Sequence, residues 1–190
     1  MMTIALVLMT ALALVGAFDT LYYHEYRGRL PARPEAAPEL RLHAARDAVY
    51  FIVFTTLPWM QWQGALTLLL GLLFITEIVI TVRDFVVEDS VRLPQGGVFP
   101  GERVTHAVMG VIYGAMLANL VPSMVKWADQ PTGIDAVHYA LPEWWLLGLI
   151  LLGVGTLLSG LRDLYAAAGL PGGALPWSSD QVQRTVLHHA

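Results

Sequence analysis

Apolar residues in this chain come in long blocks. The clearest, Ala65 to Ile75, runs eleven residues with a single polar side chain, Thr67. Blocks of this kind, separated by short Pro- and Arg-containing stretches, are how bilayer-spanning helices and their loops read. Composition agrees: 56% of the 190 residues are hydrophobic and 14% charged, against roughly 25% charged in an ordinary soluble domain. The sequence predicts an all-α integral membrane bundle with five transmembrane helices. Lipid is then the expected surroundings.

The five predicted spans are Thr3 to Tyr23, Glu39 to Trp59, Gly64 to Asp89, Glu102 to Val125 with Pro122 as a kink near its end, and Glu143 to Ala168. No Lys or Arg precedes the first, so it reads as a retained helix rather than a secretory leader. Pro58, Gln61 and Gln63 mark a tight turn after the second span. Trp144 and Trp145 lead the fifth, where aromatic side chains suit the headgroup level. One domain over 1–168 is expected, with 169–190, including His188 and His189, as a peripheral tail.

Placing the loop after the first span in the cytoplasm puts ten of the eleven basic residues on that side and leaves Lys126 alone opposite. By the positive-inside rule the N-terminus is then outside and the C-terminus inside, as in a prokaryotic inner membrane. No dense basic run is present, which argues against nucleic-acid binding. Cysteine is absent, so any metal must be held by His and carboxylate.

An internal repeat organises the first four spans. Span two opens Glu39-x3-His43-x6-Tyr50 and span four opens Glu102-x3-His106-x6-Tyr113. The helices before them match in order: Asp19, His24 and Arg29-Leu30-Pro31, then Asp84, Glu88 and Arg92-Leu93-Pro94, with spacings that differ by a residue or two. The halves, about 1–63 and 64–127, have the same topology and predict a pseudo-symmetric four-helix bundle about an axis along the membrane normal. Span five, 143–168, stands outside the repeat and is expected to pack on the bundle or to make a contact with another copy or a membrane partner. The glycines at 110, 114, 148, 153, 155 and 160 are read as points of close helix approach.

Glu and His four apart share a helix face. Glu39/His43 and Glu102/His106 therefore point their groups in common directions, and Asp19, His24, Asp84 and Glu88 arrive at the same level from the other helices. These eight residues are the candidate metal ligands, for iron, zinc or manganese and with room for two ions. Asp47 is expected to orient His43, and Tyr50 and Tyr113 to donate hydrogen bonds into the site. The ordinary reading of either Glu is a negative charge at a helix N-terminus, or for Glu102 a pair with a nearby Arg.

In ligand type and in its use of four helices the pattern resembles the ferritin-like carboxylate proteins. Those carry Glu-x-x-His, whereas this chain carries Glu-x-x-x-His, and nothing beyond the pairs matches, so no membership follows. The His-rich boxes of membrane desaturases are absent. A metalloprotein, with redox or hydrolytic chemistry depending on the ion, is the leading functional expectation. Three others stand beside it: a cation or proton transporter through Glu77, Asp84 and Glu88; a haem protein with His43 and His106 as axial ligands; and a structural subunit. Glu77 lies eleven residues before Glu88, about 16 Å deeper at 1.5 Å per residue.

Overall fold

The structure is a computed structural model that describes residues 1–177. The described chain is mostly helical, with five long helices: α1 (Met2–Phe18), α2 (Ala37–Thr56), α3 (Ala65–Val91), α4 (Pro100–Ala128) and α5 (Glu143–Ala167). α1 continues as a π-helix over Asp19–Gly28. Prolines start α2 and α4, where a missing N–H costs nothing. α4 runs through Pro122 as one helix. His188 and His189 lie outside the described residues.

Four helical segments are long and apolar enough to cross a membrane: Met2–Ala32, Ala65–Val91, Pro100–Ala128 and Glu143–Ala167. α2 is not among them. Glu39, Arg41, Arg46 and Asp47 lie in its first half, so the count of five crossings does not follow from length and composition alone.

The helices close a ring in the order α1, α4, α3, α2, α5. Within it α1 packs on α4 and α3 on α2, the two pairings that a repeat of a two-helix unit makes equivalent. α5 is not an outlying addition. It lies along α2 and closes the ring against α1. Two of its glycines account for the closeness: a Cβ on Gly153 would come 3.0 Å from the Phe54 Cβ, and one on Gly160 would come 2.8 Å from the Asp47 Cβ. The glycines at 110, 114, 148 and 155 face open space, so they do not mediate the close approach expected of them.

The half of the ring farther from the π-helix is filled by Leu6, Met9, Leu12, Val53, Phe54, Leu70, Phe74, Met116, Leu120 and Leu149, with others around them. Burying an aliphatic or aromatic side chain of this size contributes about 1.5–3 kcal/mol. At that end the expected turn after α2 is instead a strand. β1 (Met60–Gln63) pairs antiparallel with β2 (Gly133–Ala136), Met60 opposite Ala136. Gln63 Nε2 donates to Asp135 at 2.9 Å. Gly64 turns the chain into α3 at φ +56 with Thr132 against its Cα, a place where a side chain would clash. Tyr139 lies beneath this cap, and burial pushes its phenol up to about 12.

Candidate functional site

The other half of the ring is a polar layer. Asp19, His24, Glu39, His43, Asp84, Glu88 and Glu102 are all buried, and His106 is half-buried. The eight residues singled out from the sequence therefore converge. The α2 and α4 pairs do so because their first turns face inward, and α3 because Glu77, Asp84 and Glu88 extend the stripe of Thr67, Leu70 and Phe74.

α1 reaches the layer differently. Asp19 and His24 are five residues apart, which on an α-helix would place them about 140° apart. The π-helix, with roughly 4.4 residues per turn, brings both to one side. The corresponding α3 residues, Asp84 and Glu88, are four apart on a regular helix. The same holds for His24 to Arg29 against Glu88 to Arg92. The extra residue between Asp19 and His24 is thus absorbed by π-turns.

The pairings cross between the halves. His106 Nε2 lies 3.1 Å from Asp19 Oδ2, and His43 Nε2 lies 3.3 Å from Asp84 Oδ2. His24 sits centrally, its Nε2 3.2 Å from Asp19 Oδ2 and 3.3 Å from Glu102 Oε1, with its ring stacked on His43 at 4.6 Å. Three groups have one ligand atom per residue all within 4.8 Å of one another: Asp19, His24 and His106; His24, Glu39 and His43; and Glu88, Glu102 and His106. Asp84 belongs to none of them; Arg46 Nη1 donates to its Oδ2 at 3.1 Å.

Two residues outside the sequence-derived set are central. Arg92, fully buried, donates from Nε (2.9 Å) and Nη2 (2.6 Å) to Glu39, and from Nη2 to Glu102 at 3.1 Å. Its Nη1 packs where Gly28 leaves room, 3.2 Å from where a Cβ would be. The signal for it is the Arg-Leu-Pro shared by 29–31 and 92–94, which aligns the two halves and orients the chain but does not by itself place Arg92 in the layer. Asp163, from α5, lies 3.5 Å from His43 Nδ1. It occupies the orienting position expected of Asp47, which instead packs against Gly160. An acid inside an otherwise apolar helix was its signal.

The tyrosines do not enter the layer as expected. Tyr50 donates to Glu77 Oε1 at 2.7 Å, and Thr81 donates to the same oxygen at 2.8 Å. Tyr113 is also near Glu77, although its hydroxyl makes no hydrogen bond. Glu77 therefore belongs to a separate polar group deeper in the bundle.

Fold and site together define a helical bundle with four apolar helices and with His and carboxylate groups gathered at one end. Comparison with family models, with curated proteins and with solved structures returns no match.

Proposed function

We propose that this chain is an integral membrane metalloprotein: five crossings, the first four a duplicated two-helix unit with halves about 1–63 and 64–127, and a His/carboxylate site at the cytoplasmic end. The observation that carries the reading is the burial of His24 and His43, with His106 beside them, among carboxylates at ligand-to-ligand separations. Buried charge at this density is costly unless it is paired or coordinates a metal. Imidazole with carboxylate suits iron, zinc or manganese. With an open coordination position such an ion supports hydrolysis or, if iron or manganese, redox chemistry. α2, the charged helix, crosses shielded between α3 and α5, and the outward Leu147, Leu151, Leu158 and Leu161 of α5 face lipid or a second copy.

Arg92 favours a second reading, in which the layer is an ion-pair network that fixes helix register. The transporter reading is weaker, because the apolar cluster fills the ring beyond Glu77. So is the haem reading, because the His24 ring covers His43. Elemental analysis of the purified chain in detergent, alongside Glu102→Ala and His106→Ala, decides between metal and network. Stoichiometric metal lost on substitution supports the first, and a folded wild-type chain without metal after loading sinks it.

A further inference from the structure

The repeat supplies two comparable half-sets: Asp19 with Glu102 and His106, and Asp84 with Glu39 and His43. They are not equally available. In the second, Arg92 holds Glu39 through two nitrogens and Arg46 holds Asp84. Both carboxylates there already have a buried cation. In the first, Asp19 meets only imidazoles. Glu102 has one bond from Arg92, and its Oε2 has no partner.

Both carboxylates of the first half-set keep an unpartnered oxygen, whereas in the second only Asp84 does, through its Oδ1. Asp19 Oδ1, Glu102 Oε2 and His24 Nε2 are buried without a hydrogen bond, although the residues are 3%, 0% and 5% exposed. His24 Nε2 is near two acid oxygens, yet neither approach has hydrogen-bond geometry. An orphaned polar atom at such depth costs about 1–3 kcal/mol, and the carboxylates of Asp19 and Glu102 each keep one oxygen free for a further partner. The separations fit an ion. Ligands at 2.0–2.1 Å in a tetrahedron stand roughly 3.3 Å apart; the His106–Asp19, Asp19–His24 and His24–Glu102 contacts are 3.1, 3.2 and 3.3 Å, and Asp19, His24 and His106 offer ligand atoms all within 4.8 Å of one another, with Glu102 joined to them through His24. His106 also has Glu88 Oε1 3.7 Å from its Nδ1, the outer acceptor that fixes a metal-binding ring.

We infer that the layer takes one divalent ion, held by Asp19, His24, Glu102 and His106, and that Arg92 is a resident cation filling the equivalent place beside Glu39 and His43. Two carboxylates and two neutral imidazoles balance a divalent charge, whereas a second ion would have to displace the Arg92 guanidinium from Glu39, which it holds through two nitrogens. The inference rests on the metalloprotein reading and adds the number of ions and their place.

The test uses the full chain in detergent, loaded with Co²⁺ or Zn²⁺, with bound metal counted by elemental analysis and four-coordinate Co²⁺ read from its visible absorption. The wild type is expected to hold one equivalent and His43→Ala to keep it. Asp19→Asn and His106→Ala lose at least tenfold in affinity, and Arg92→Gln admits a second equivalent. Size-exclusion and circular dichroism confirm folding, with His106→Gln replacing a misfolded His106→Ala. Two equivalents in the wild type, one lost equally in His43→Ala, or no second equivalent in folded Arg92→Gln overturns this inference while the metalloprotein reading stands. No metal in the folded wild type overturns both.

Discussion

The π-helix Asp19–Gly28 and the last turns of α3, Asp84–Val91, do the same task with different backbones. Each brings an acid and then a second ligand-type residue into the layer, and each is followed by an Arg. One uses steps of five residues and the other steps of four. The difference teaches that position in the layer, not helix type, is what the two halves share. Extra residues are tolerated where a widened turn returns the chain to its original face. A second contrast follows at their ends. Arg92 enters the layer, whereas Arg29, at φ 51, turns out over the Trp177 ring at 4.8 Å.

Deletions break this comparison most sharply. Removing Phe85 rotates everything beyond it by about 100°, turning Glu88 and Arg92 out of the layer, and is expected to abolish the folded monodisperse peak in size-exclusion chromatography. Removing the exposed Leu21 lets a π-turn become an α-turn, and that chain is expected to fold. The arginines come next. With metal stripped by chelator, Arg92→Ala leaves Glu39 uncompensated and costs about 3–5 kcal/mol in denaturant unfolding, whereas Arg29→Ala, losing a half-buried cation–π contact with Trp177, costs less, about 0.5–2 kcal/mol.

The halves also differ deeper in the bundle. Seven residues before Asp19 stands buried Leu12, and seven before Asp84 stands Glu77. Glu77→Leu orphans the Tyr50 hydroxyl and is expected to destabilise by about 1–3 kcal/mol. Adding Tyr50→Phe should recover most of that loss, and a double-mutant cycle measures the coupling. The smallest effect distinguishes two α5 glycines. Gly155→Ala, facing open space, gains about 0.5–1 kcal/mol from helix propensity, whereas Gly160→Ala, pressed on Asp47 and Ala44, loses stability in the same thermal assay.

The four apolar helices were legible in the sequence because a span needs a long uninterrupted block, and Ala65–Ile75 is one. α2 was placed by its prolines and its repeat rather than by hydropathy, since its charges point into the ring. The convergence of Glu39/His43 and Glu102/His106 followed from helical spacing alone. What the sequence hid was relational. Nothing local shows that Asp19 and His24, misaligned on an α-helix, are reunited by π-turns. Arg92 and Asp163 look like interfacial charges until the helices around them are known. The partner of Tyr50 could not be read either, because Glu77 lies on another helix.

Asp163 and Gly160 give the layer an order of assembly. α2 buries its charged face against α5, and His43 meets its outer carboxylate only there. Among the described residues α5 is the last helix to be made. In the bilayer proposed above, α2 would wait through the synthesis of two further helices with Arg46 and Asp47 unshielded on one side. A ribosome stalled before Glu143 would therefore hold a chain whose second helix is not yet seated, and the layer would close only when α5 docks.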